Sequence, residues 1–173
     1  MDDQDLRPWA DLLHHAGCDA EVIAHCRAVT GLALRIAARI PGADPTRVTA
    51  GAMLHDLGRA VTHGMRHAVE GARLAAAMGQ PDAVVAIIRT HIGAGIPAPE
   101  AVAAGLPADD YMPRSLEARI VAHADNLICG VTRQTAADCA ERLAEAGLTA
   151  AAARIIALHR ELSAQAGIDL DDL

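Results

Sequence analysis

Nine histidines are spread over 173 residues, and those that matter stand beside carboxylates or interrupt apolar faces. His55 and Asp56 are adjacent, at the end of a segment whose preceding residues, GAML, are small or apolar. His25 interrupts the helical pattern of Val22, Ile23, Cys26, Val29, Leu32, Ala33 and Ile36. A histidine there is either a hydrogen-bonded core residue or a ligand. Asp125 sits in IVAHADNLI, an otherwise apolar helix face. A carboxylate buried alone is costly unless it is paired or coordinated. Imidazole and carboxylate together suit Fe, Mn, Co, Ni or Zn, so the chemistry these residues suggest is metal ligation.

The elements that must position them are helices. Just over half of the chain is apolar, yet it has one Trp, one Tyr and no Phe. Ala, Leu, Ile and Val must therefore make the core, which favours closely approaching helices over a sheet. The pattern predicts helices over about 8–15, 19–40, 44–57, 67–78, 82–91, 99–104, 115–130, 134–146 and 149–166. Asp44 with Pro45 and Ser115 read as helix starts, as does Asp82, and Gly58 as a stop. Residues 59–66 read as a loop, and no segment alternates with period two. The fold class expected is all-α, one domain over 1–173, with a core motif over 25–125 and the helices of 134–166 completing the bundle.

The order His25, His55-Asp56, Asp125, on helices able to face one another, resembles the HD superfamily of metal-dependent phosphohydrolases. Those four residues match its core positions. His67 opens HAVEGARLA and His91 ends AIIRTH, the places where binuclear members carry two further histidines. The resemblance thus implies two divalent transition-metal ions held by His25, His55, Asp56, His67, His91 and Asp125, with Asp56 bridging. The phrases HAGC, LLHDLGR, HAVEGA, HIGAGIP and DYMP look like a small subgroup of stand-alone archaeal and bacterial HD proteins. The Gly-Tyr-Pro signature of the cyclic-di-GMP phosphodiesterases is missing.

Around that set, Asp56, Arg59 and His63 are the candidate catalytic residues, and Arg59, Arg66 and Tyr111 the candidate substrate contacts. Arg59 follows His-Asp-Leu-Gly, where a fork of donors would suit a phosphate oxygen; an exposed loop arginine is the plainer reading. His63 shares the loop and would pass a proton to a leaving group, or be simply solvated. Tyr111 lies in a polar loop that would cover the pocket. Asn126 is expected to support the ligands rather than join them. His123 is expected to face a neighbouring helix or solvent, and His14, His15 and His159, without acidic partners, to pack or lie at the surface. Cys18, Cys26, Cys129 and Cys139 show no metal-binding spacing and read as reduced thiols in or near the core. Cys129, one helical turn after Asp125, would line the same pocket.

The net charge is −7, all 15 basic residues are Arg, and their order shows no basic face, which argues against an extended nucleic-acid ligand. No run of 18 or more apolar residues exists and the start MDDQDLRPW is polar, so no membrane is expected, and a cytoplasmic protein is. The partner expected is a small phosphorylated molecule such as a nucleotide. The Ala-rich run TAAAARIIALHRELSAQAG would finish the core or meet a second copy of the chain, the first being preferred. Three functions fit the ligand set. Hydrolysis of a phosphomonoester or phosphodiester leads, with two ions activating water and Arg59 balancing phosphoryl charge. An HD-type di-iron oxygenase and a non-catalytic metal-dependent binding module are the alternatives.

Overall fold

Helices carry the computed structural model, which describes residues 5–173. The reading of the first four residues as part of a polar start lies outside them. Helix α1 spans Arg7–Ala16, α2 Ala20–Ala37 and α3 Pro45–Leu54; a 3₁₀ turn follows over Leu57–Ala60. Then come α4 (His67–Ala77), α5 (Asp82–Thr90), α6 (Ala98–Ala103) and α7 (Leu116–Asn126). A two-stranded hairpin, β1 (Ile128–Cys129) with β2 (Thr132–Arg133), leads to α8 (Ala136–Glu145) and α9 (Thr149–Ala166).

Side-chain caps set several of these starts. Asp19 accepts from Val22, Asp44 from Thr46 and Arg47, and Ser115 from Ala118. Thr135 and Asp138 cap α8 reciprocally. Asp82 is no cap: Pro81 takes that position and Asp82 opens the helix, placing its charge at the positive end of the dipole. The helix expected to reach Leu57 stops at Leu54, because the chain turns at His55-Asp56 to aim both side chains inward. The helix expected through Cys129 ends at Asn126, just before the hairpin; Cys129 is exposed on β1. The other three thiols are buried.

Two apolar clusters meet at the helices that carry the candidate ligands. One joins Val29, Leu32 and Ile36 of α2 to Ile120 and Val121 of α7 and Ile155 and Leu162 of α9. The other joins Leu13, Cys26, Met53, Leu54, Leu57 and Ile88. The Ala-rich α9 therefore helps complete the core. Two glycines permit the closest approaches. A Cβ on Gly51 would stand 2.7 Å from Ile87, so α3 lies directly against α5. A Cβ on Gly58 would stand 1.9 Å from the His67 carbonyl oxygen and 2.5 Å from the Gly71 nitrogen. Only a residue without a side chain lets the 3₁₀ turn rest on the start of α4.

Candidate metal centre

Six side chains from five regions converge: His25 on α2, His55 and Asp56 just beyond α3, His67 opening α4, His91 closing α5 and Asp125 on α7. His55, Asp56, His67 and His91 are buried. In each of the four histidines Nδ1 faces a backbone carbonyl oxygen: Gly130 for His25 (2.7 Å), Ala52 for His55 (2.7 Å), Gly64 for His67 (2.8 Å) and Ile88 for His91 (2.7 Å). A carbonyl only accepts, so Nδ1 holds the proton and donates. Whenever such a ring is neutral, its lone pair is on Nε2, the nitrogen aimed inward.

The inner atoms are crowded. His25 Nε2 lies 2.9 Å and His55 Nε2 3.5 Å from Asp125 Oδ1. His55 Nε2 is 3.8 Å from Asp56 Oδ2, while His67 and His91 Nε2 are 3.1 and 3.8 Å from Asp56 Oδ1. The two oxygens of Asp56 thus face different histidines. His67 and His91 bring their Nε2 atoms to 3.0 Å from each other, and His55 Nε2 is buried without a hydrogen-bond partner. Two lone pairs meeting head-on, and an orphaned buried nitrogen beside two carboxylates, are what a cation among them would satisfy. Fixing Nδ1 by a second partner is also how ligating imidazoles are commonly oriented.

Charge follows the same geometry. Burial alone would raise the carboxyls of Asp56 and Asp125, but the surrounding histidines, with Arg59 at Asp56, hold both below the ordinary carboxylate range. Burial opposes a charge on His55, yet Cys26, Asp56 and Asp125 together raise its imidazole well above the usual value. His91 is pushed down to about 3 by burial and by the neighbouring histidines. The cluster is therefore anionic at its carboxylates and keeps basic nitrogens beside them.

The outer candidates fare differently. Arg59 donates from Nε to Asp56 Oδ1 (3.1 Å) and from Nη1 to the His63 carbonyl (2.8 Å), so it sits at the edge of the cluster and closes its own loop. The His63 ring is exposed, and Arg66 is exposed and pairs with Glu70 at 3.7 Å. Tyr111 is buried among Ile96, Ala101 and Leu106; its hydroxyl donates to Pro107 (3.2 Å) and Arg89 lies over its ring. That packing makes it part of the small apolar cluster of the 92–114 segment. Asn126 is a support, as expected: its amide donates to Gly93 (3.0 Å), two residues past His91. Gly71, which stands in the HAVEGA phrase and whose backbone meets Gly58, and the Gly130 carbonyl, which has no local sequence signal, also hold the site. His123 faces α9, where His159 does have acidic partners, contrary to the reading of its neighbourhood in sequence.

Comparison with known proteins agrees with this geometry. The model of the HD domain family matches residues 22–128. A tRNA (cytidine(56)-2'-O)-methyltransferase of Thermoplasma volcanium is 45% identical over 163 residues, covering 94% of this chain and 48% of that protein. The chain thus spans about half the length of the first curated relatives it matches. An uncharacterised protein of Methanocaldococcus jannaschii is 44% identical over 120 residues, covering 67% of this chain and 71% of its own. Among solved structures, the HD domain of the L. monocytogenes phosphodiesterase PgpH in complex with cyclic-di-AMP aligns over 91% of this chain and 96% of its own, with a TM-score of 0.54 at 17% identity. Family match, helical fold and the clustered His-Asp set together make this chain a member of the HD domain family.

Proposed function

We propose that the chain is a metal-dependent phosphohydrolase with a binuclear centre, acting on the phosphoester of a small nucleotide. The observation that carries this reading is the ring of four Nε2 atoms around two carboxylates, with Arg59 bonded to Asp56 at its edge. One ion would be held by His25, His55 and Asp125, and the other by His67, His91 and Asp56, the latter also turned toward His55. When bound, the ions neutralise phosphate charge and lower the pKa of water. The chain's own residues do the rest. Asp56 fixes the relation between the two halves, Arg59 has a further nitrogen beyond its two internal bonds for a phosphoryl oxygen, and His63 is the nearby exposed imidazole for a leaving group.

A nucleotide is favoured because a domain of this fold binds cyclic-di-AMP. RNA enters only through the longer relatives named as tRNA methyltransferases, and this chain's net charge of −7 gives an extended strand little attraction. The test is a panel of phosphomonoesters, cyclic dinucleotides and cyclic mononucleotides, assayed with Mn, Fe, Co, Ni and Zn, with and without oxygen. Hydrolysis that persists anaerobically and falls by at least about 100-fold in Asp56→Ala is expected. Turnover requiring O₂ would identify an oxygenase, and tight binding without product a binding module. Either result overturns the hydrolase.

A further inference from the structure

A second histidine–carboxylate cluster stands on α9, apart from the six residues above. Gly167 ends the helix in the left-handed conformation (φ +71°), and the chain folds back so that Asp169 and Asp171 face His159. His159 Nε2 lies 3.0 Å from Asp169 Oδ1 and 4.0 Å from Asp171 Oδ2. All three donor atoms fall within 4.8 Å of one another. Ligands held roughly 2.0–2.2 Å from one ion stand about 3–4.4 Å apart, so little movement is required. The other ring nitrogen of His159 is held from behind: Nδ1 lies 3.1 Å from Nε2 of His123. His123 is fully buried and its remaining nitrogen has no hydrogen-bond partner. A buried polar group that orients an imidazole toward two carboxylates is the arrangement seen behind metal ligands.

We propose that His159, Asp169 and Asp171 bind one divalent transition-metal ion, separate from the binuclear centre, which fastens the 167–173 segment to α9. One imidazole and two carboxylates suit zinc and its neighbours, with water completing the coordination. The acids already hold the segment in register: Asp169 accepts from Asp171 N (2.9 Å) and Asp171 from Ala136 N (3.1 Å) at the start of α8. Arg133 donates to the Leu170 carbonyl (2.6 Å), which keeps one nearby cation directed at the backbone. An ion there would tie the segment to both α8 and α9.

The experiment is zinc uptake by the full chain, by equilibrium dialysis against zinc chloride with elemental analysis. Wild type is compared with the Asp169→Asn/Asp171→Asn double variant and with His159→Gln. The asparagines keep an oxygen for both backbone caps, so the fold is preserved, as circular dichroism would verify. Each variant is expected to hold about one zinc fewer per chain, and zinc should slow carboxypeptidase trimming of wild type but not of the variants. The difference should persist in a His55→Ala background, which separates it from the fate of the binuclear centre. Equal zinc content in wild type and variants would reduce the cluster to an ion pair and overturn the proposal.

Discussion

At His55 the surroundings dictate a protonation state. Cys26, Asp56 and Asp125 raise its imidazole well above the ordinary value despite burial, which favours the protonated ring in the metal-free chain. A metal ion needs the neutral ring, so loading the centre must expel that proton. Titrating Mn²⁺ into metal-free protein at pH 7, in buffers of different ionisation heat, should show release of about one proton per chain. Heats independent of the buffer would contradict it. His123 gives the opposite case, pushed down to about 3 by burial, then by His159 and Arg133. Unfolded, it takes up a proton near pH 6.5; folded, it resists until about 3. The unfolded state therefore binds more protons through that window, and stability falls as pH falls. From pH 6.5 to 5 this one residue should cost about 1.6 kcal/mol in metal-free protein. Urea denaturation of wild type and His123→Gln at both values measures it, the variant losing less.

Backbone contact between elements decides whether the ligands meet. Gly58 rests on the His67 carbonyl, so a methyl group there must push the 3₁₀ turn from α4 and separate Asp56 from His67. Gly58→Ala is expected to cost about 3 kcal/mol or more and, in the binuclear centre proposed above, to weaken the half built on His67 and His91 first. Denaturation and metal content together read this. Asn126→Ala frees the turn after His91 from α7 while leaving Asp125 in place, and should lower affinity at that half of the centre roughly 10–100-fold. The same elements explain what was legible in sequence. Helices α2 and α7 announce themselves by apolar spacing, and a histidine or aspartate inside such a face is conspicuous because burial penalises it. The Gly58–Gly71 contact, the Gly130 carbonyl behind His25 and the Asp169–His159 pairing are meetings of distant segments. Neither periodicity nor capping encodes them. The burial of Tyr111 was hidden for the same reason: a polar stretch reads as loop, but the bridge between Ile96 and Tyr111 folds it back over its own apolar cluster.

Across the whole molecule, the centre joins residues 25 to 125 from helices that also meet through apolar packing. Without ions, the interior holds two carboxylates, two ring nitrogens in close approach and one unpartnered nitrogen, and the burial of each carries a desolvation cost. Ions that bind only the folded chain reverse this by mass action. At a free metal concentration 100 times the dissociation constant, one site adds about 2.7 kcal/mol. For a chain of this length that is a rise in melting temperature of roughly 5–10 °C. Chelation should therefore lower the melting temperature of wild type by about that amount, and readdition of Mn²⁺ should restore it. In His55→Ala the metal-dependent part should vanish. The metal-free variant should melt below metal-free wild type, since it removes the buried imidazole that faces Asp56 and Asp125 and holds both carboxyls down. A variant that still gained the full increment with Mn²⁺ would place the stabilising ion away from these six residues.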